Sequence, residues 1–253
     1  MWAADVNARG ALLGRPVEIV YYDDRSRDAG TVEGFTKLIG QDNVDVLVGP
    51  YSSSLTLEAS LVAEKFNIPM VSTGASAEEI WNRGLTNIFG ADTPAGDYLE
   101  GLYFAADAGV KTVAFIYAKT DFGEDLAAAS KRKMEERGLQ LVFIEGYPPE
   151  QRDFAALAKR LGEANADLIF GVSYFDDSVA LVRALKKEGV NPKMLGFTVG
   201  PGLREFANQL GKDAEGVLGV VQWLRSSREP GAQDFAYRFS QRYGYNPGVY
   251  AVM

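Results

Sequence analysis

The sequence predicts an α/β protein built on parallel sheets with helices packed on both faces. Three observations carry this. Eight short apolar runs recur along the 253 residues, and none approaches the roughly 20 apolar residues that cross a bilayer. The runs are apolar without strict alternation, as strands buried on both faces are. The stretches between them repeat apolar residues at helical spacing, so strand and helix alternate.

Taken in order, the first strand candidate is VEIVYYDD (17–24), followed by a helical stripe of Val32, Phe35, Leu38 and Ile39. VDVLVG (44–49) comes next and runs through a glycine-proline turn into Ser52, Ser53 and Ser54 before a helix. IPMVST (68–73) leads into Gly74, Ala75 and Ser76. A composition break, FGADTPAGDY (89–98), precedes a second series: TVAFIYAK (112–119), LQLVFIEGY (139–147), ADLIFGVSY (166–174), MLGFTVG (194–200) and VLGVVQWL (217–224). Val179, Leu181, Val182 and Leu185 form a helical stripe within that series. Gly109, Gly138 and Gly189 stand where a left-handed cap would end a helix and release the next strand. A second break, LRSSREPGAQ (224–233), leads to a final helix, DFAYRFSQRYG (234–244). Two breaks divide the chain into two lobes: residues 1–91 plus 225–253, and the inserted 92–224.

Composition removes whole classes of chemistry. There is no cysteine and no histidine, so disulfides, thiolate nucleophiles, Ser-His-Asp triads and Cys/His zinc sites are excluded. Lys and Arg total 26 against 34 Asp and Glu, a net charge of -8, and the basic residues are scattered. Nucleic acid and anionic membranes are therefore disfavoured as partners. No cofactor is expected: there is no GxxxxGK[ST], and the GPG at 200–202 is too short and wrongly placed for a dinucleotide fingerprint. Asp23, Asp24 and Asp28 lack a matching carboxylate cluster for a hard metal ion. No charged n-region followed by an apolar h-region precedes the first helix, so the chain as given carries no export signal.

In open α/β sheets ligands sit beyond the carboxyl ends of the strands, where helix N-termini and free backbone amides converge. Tyr51 to Ser54 and Gly74 to Ser76 occupy two such turns in one lobe. Singly, each serine reads as a helix cap, and Ser76 with Glu79 as a capping box. Together the turns offer hydroxyls beside amides, an arrangement that takes an oxyanion such as a carboxylate without a charged partner. In the other lobe Phe122, Tyr174 and Thr198 follow their strands in the same way. The two aromatics read equally as core packing or as a second wall of a site, and Asp176 and Asp177 read as helix N-terminal charges.

The runs VNARGALLGRPVEIVYYDD, VDVLVGPYSSSLTLEAS, IPMVSTGAS and FGEDLAAASKRKMEERG, in that order, resemble the periplasmic solute-binding proteins of branched-chain amino acid ABC importers, the Leu/Ile/Val-binding type, over nearly the whole chain. The resemblance implies two Rossmann-like lobes of Venus-flytrap form, the type I periplasmic binding protein fold, incomplete here at both ends. It implies no catalysis. A small carboxylate would be captured in the cleft between the lobes: a branched-chain or other hydrophobic amino acid, or an aromatic or aliphatic acid. The implied partner is an ABC permease in the membrane, the implied state a monomer. The implied location is periplasmic or extracellular, with lipid or membrane association in a Gram-positive source. The carboxylate-holding serine falls on Ser53, leaving Ser52 or Ser54 for the helix, and the second anchor falls on Gly74, Ala75 and Ser76. Phe122 falls on the aromatic that closes over the ligand, Tyr174 on the tyrosine after the following strand, and Tyr250 on a side-chain-packing position. Tyr51 adds a further ring. Thr198 stands where the Leu/Ile/Val type places an acid for the ligand's ammonium, so Asp121 or Asp176 takes that role or the ligand lacks an amine. The same fold is shared with sensor and receptor domains, so a sensor's ligand-binding domain is the alternative, ahead of a histidine-free α/β enzyme.

Overall fold

Strand and helix alternate through residues 1–252, which the computed structural model describes, and they sort into two units. The first comprises Met1–Ala75, Glu79–Asp92 and Arg225–Pro247. Its elements are α1 (Trp2–Ala8), α2 (Asp28–Gly40), β1 (Leu47–Val48), α3 (Ser53–Phe66), β2 (Met70–Ser72), α4 (Glu79–Asn82) and β3 (Ile88–Gly90). The three strands make a parallel sheet in the order β1-β2-β3, with Leu47 opposite Met70 and Met70 opposite Ile88. Phe35, Leu47, Ala59, Val62, Ala63 and Met70 form its buried core, with Leu38 and Ile39 packed against it. The stripe read from α2 thus faces inward, apart from Val32, which is exposed. α3 ends on Asn67 in the left-handed conformation (φ 53°), a cap that asparagine tolerates as glycine does.

Two expectations fail here. The run 17–24 forms no strand. A strand needs a neighbour for its backbone groups, and 17–24 pairs with no strand of the sheet. Val17 has its N–H and C=O both bonded to the Asn7 side chain, while Ile19 is 61% and Tyr21 84% exposed. Conversely, β3 runs into the supposed break, two of its three residues lying within 89–98. It is only three residues long, too short to show a period, and the Glu64 carboxylate holds its approach by accepting the N–H groups of Thr86 and Asn87, each at 3.0 Å.

The second unit comprises Ser76–Glu78, Thr93–Leu224 and the tail from Gly248. It contains α5 (Gly101–Asp107), β4 (Thr112–Ala118), α6 (Asp121–Glu135), β5 (Gln140–Tyr147), α7 (Ala155–Ala164), β6 (Leu168–Val172), α8 (Phe175–Lys187), β7 (Met194–Phe197), α9 (Arg204–Leu210) and β8 (Val217–Gly219). The chain then returns to the first unit for α10 (Ala232–Tyr243). The five strands are all parallel, in the order β5-β4-β6-β7-β8. β4 shows why strict alternation was missing: Ala114, Ile116 and Ala118 enter one core with α7 and α8, while Val113 and Phe115 enter the other with α5 and α6. Every residue of β6 is buried. Burial of this kind contributes about 1.5–3 kcal/mol for each large side chain. Gly109, Gly138 and Gly189 adopt φ of 84°, 68° and 70° where helices end, as their spacing predicts.

Two short segments are exceptions to the grouping of their sequence neighbours. Residues 76–78 and the tail from 248 group with the second unit rather than the first. The reason for the first exception is hydrogen bonding. The Glu78 N–H donates to the Asp125 carboxylate at 2.6 Å, and the Ser76 carbonyl accepts from the Ala95 N–H at 2.9 Å.

Candidate functional site

In the first unit, β1 ends at Val48 and Gly49 (φ 87°) reverses the chain toward α3. Ser52 is the cap: its Oγ accepts from the Leu55 N–H at 3.2 Å. That satisfies one of the amides left without a partner in the first turn and leaves Ser53 as the first residue of the helix, buried. Thr56 Oγ1 donates to the Pro50 carbonyl at 3.3 Å and fastens the turn to the helix. The helix dipole and its first amides favour negative charge at this end.

The turn after β2 carries Gly74 and a buried Ala75. Gly74 is required by Tyr51: a Cβ there would lie 2.5 Å from Cδ2 of the Tyr51 ring and 3.1 Å from the Tyr51 carbonyl oxygen. The close approach at this glycine is made by Tyr51, which is itself exposed. Ser76 does not form a capping box with Glu79, because α4 begins only at Glu79 and Ser76 lies three residues before it in the loop. Ser76 is buried and belongs to the second unit.

In the second unit the strand order contains a switch point. From β4 the chain crosses to β5 on one side, then returns past β4 to β6 on the other. The strand order reverses between β4 and β6, and such a switch point opens a crevice at the carboxyl ends of the strands. The turns flanking it are Thr120 to Phe122, after β4, and Ser173 to Tyr174, after β6. Thr120 caps α6 by accepting from the Gly123 N–H at 3.2 Å. Burial first, then the carboxylates of Asp177 and Asp121 and the nearby Tyr250, push the Tyr174 phenol above the ordinary tyrosine range. Tyr250 belongs to the same unit as Tyr174. Phe122 is buried, its ring set edge-on to Tyr98 at 5.1 Å, so it combines a place beside the switch with core packing.

Thr198 is buried, and its hydroxyl accepts from the Ser173 N–H at 3.1 Å while donating to the Ser173 carbonyl at 3.0 Å. Its donor and one acceptor position thus go to backbone, which ties it to the turn after β6. Asp176 is exposed, as a helix N-terminal charge should be, whereas Asp177 is buried. Asp177 Oδ2 accepts from the Tyr147 hydroxyl at 2.7 Å, and Oδ1 from the Ser178 N–H at 3.0 Å. Burial raises the Asp177 carboxyl, and raises the Tyr147 phenol further, with the Asp177 charge adding to the latter. Sequence reasoning missed this pair. A signal was present: Asp177 precedes Leu181 by four residues and Leu185 by eight, and so lies on the buried stripe of its helix.

Two units with parallel sheets and polar turns at their carboxyl edges define an α/β ligand-binding protein. The comparisons make the class specific. The periplasmic binding protein family model matches residues 1–252, and the chain belongs to that family. Its members and its structural relatives are solute-binding proteins, not enzymes. A Leu/Ile/Val-binding protein homolog 7 of Brucella abortus (strain 2308) is 27% identical over 260 residues, covering 96% of this chain and 64% of the relative. The chain thus spans somewhat less than two thirds of the length of that curated relative. The branched-chain amino acid substrate-binding protein LivJ of Streptococcus pneumoniae, solved with isoleucine, superposes with a TM-score of 0.87 at 20% identity over 98% of this chain and 72% of that one. A solute-binding protein of Rhodopseudomonas palustris BisB5, solved with 3,4-dihydroxybenzoic acid, gives 0.81 at 21% identity over 96% and 68%. At such identities the two structures show a shared fold.

Proposed function

We infer that the chain is the ligand-binding part of an extracytoplasmic substrate-binding component of an ABC importer, and that its ligand is a small carboxylate: a hydrophobic amino acid, or an aromatic or aliphatic acid. The observation that carries this is the pair of turns in the first unit, where Ser53 opens α3 behind its own cap Ser52 and the backbone of Gly74 and Ala75 follows the neighbouring strand. Short hydroxyls and amides at a helix start suit a carboxylate. Ser53, Gly74, Ala75 and Ser76 are its anchors, with Tyr51 at the edge of the same turns. Tyr174, Tyr250 and Phe122 are the candidate ligand residues of the second unit. The relatives crystallised with isoleucine and with 3,4-dihydroxybenzoic acid support both ligand types, and the permease partner follows from the same family reading.

Calorimetric titration with L-leucine, L-isoleucine and 3,4-dihydroxybenzoate tests it. One of them is expected to bind, and to stabilise the protein by about 2.7 kcal/mol at one hundred times its Kd. Ser53→Ala is expected to weaken that binding at least tenfold while shifting stability little. Failure of all three probes, or full affinity in Ser53→Ala, refutes the assignment.

A further inference from the structure

We propose that Thr198, Asp177 and Tyr147 form a clamp that fixes Tyr174 at the carboxyl edge of the second unit's sheet, so that all three are positioning residues of the binding site rather than ligand contacts. The proposal rests on the binding function inferred above only in that Tyr174 is taken as a site residue. Three strand ends contribute. From the end of β7, the single hydroxyl of Thr198 grips both backbone groups of Ser173, the residue before Tyr174, and the Val199 N–H reaches the same carbonyl at 3.3 Å. From the end of β5, the Tyr147 hydroxyl binds the Asp177 carboxylate.

Asp177 closes the grip from the other side. It is the third residue of α8, whose N-cap is Tyr174. Its carboxylate accepts the Ser178 amide, whose N–H also reaches the Tyr174 carbonyl at 3.4 Å. With a phenol on one oxygen and an amide on the other, both carboxylate oxygens are engaged, and Asp177 is only 4% exposed. Thr198 is 1% exposed and equally committed. Both side chains are buried and turned to protein groups, whereas Tyr174 is only half-buried.

Buried polar groups cost stability unless fully bonded, and an apolar trio would fill the same space more simply. What such an arrangement adds is one fixed orientation for the residue it surrounds. Here that residue is a site tyrosine, so a change in the clamp is read out at Tyr174.

The test uses the whole chain labelled with 3-fluorotyrosine, its Tyr174 resonance assigned by loss in Tyr174→Phe. In Asp177→Asn, Thr198→Val and Tyr147→Phe the Tyr174 line is expected to move toward the position of a mobile, exposed tyrosine, and to stay in place in Tyr237→Phe on α10. Tyr147→Phe removes one oxygen atom and serves where either other variant fails to fold. In parallel, L-leucine and 3,4-dihydroxybenzoate are titrated by calorimetry. Affinity for whichever binds should fall at least fivefold in each clamp variant, and by no further amount when the variant is combined with Tyr174→Ala. An unmoved Tyr174 line in the clamp variants overturns the proposal, as does an affinity loss that adds fully to that of Tyr174→Ala. If the wild type binds neither probe, the binding function is what fails, and the fluorine spectrum still decides whether the clamp exists.

Discussion

Gly123→Ala is expected to destabilise the protein even though it replaces glycine with the best helix former. Gly123 is the third residue of α6, and in an open helix this exchange favours alanine by about 1 kcal/mol. Here a Cβ on Gly123 would lie 2.0 Å from the Ala118 carbonyl oxygen and 3.2 Å from its carbon. Carbon–oxygen contacts settle near ~3.3 Å, so the end of β4 and the start of α6 must separate by about 1 Å. Overpacking costs roughly 1–3 kcal/mol, and the obstructing atom is backbone, which cannot swing aside. The same movement pulls at the Thr120 cap, worth about 1 kcal/mol, since its acceptor faces the N–H of Gly123 itself. Cap loss and helix propensity cancel, leaving a net cost of about 1–3 kcal/mol, which lowers Tm by roughly 2–10 °C in a chain of this size. Gly40→Ala is the control. It lies in α2, with nothing within 4 Å of the added carbon, and should raise Tm by up to a few degrees. Thermal unfolding followed by calorimetry measures both. If Gly123→Ala melts at or above the wild type, the steric reasoning at the β4–α6 turn is wrong.

Three further outcomes are expected. Ser52→Ala should cost about 1 kcal/mol in urea unfolding as a lost N-cap while leaving ligand affinity within a factor of two, the reverse of Ser53→Ala. Tyr147→Phe keeps the ring against Phe154, edge-on at 5.0 Å, but removes the donor to a buried carboxylate. It should cost about 1.5–3 kcal/mol, the worth of a hydrogen bond to a charged group, and a loss below about 0.5 kcal/mol would contradict the geometry. The third is a pair of opposite pH slopes. Asp167 is held down to about 2 from 3.8, by the Lys193 ammonium first and then by the Lys111 N–H. Its stabilisation is therefore present above the unfolded value and lost as pH falls from about 4 toward 2. Asp177 is raised by burial, so ionising it costs stability, and that cost is relieved as pH falls. Between pH 5 and 2, urea midpoints should fall less in Asp167→Asn than in the wild type and more in Asp177→Asn. Parallel curves for all three proteins would refute both assignments.

Local chemistry made much of this protein legible in its sequence. The unalternated apolar runs of β4 and β6, the stripes of α2 and α8 and the three left-handed glycines each report a property of a few adjacent residues: burial on both faces, helical period, a permitted φ. Those properties sufficed for the α/β class, and the order of the turns sufficed for the family. One of the three serines after β1 had to serve the helix, and the structure assigns that task to Ser52. Tertiary structure decided what depends on a distant neighbour. Residues 17–24 have strand composition, yet pairing needs a second strand beside them. β3 has too few residues to show a period and exists because β2 supplies its ladder. Thr198 and Asp177 are ordinary polar residues in the sequence. Only the meeting of three strand ends commits their side chains to the backbone around Tyr174, because a hydrogen bond across 25 or 30 residues is fixed by the fold and by no local pattern.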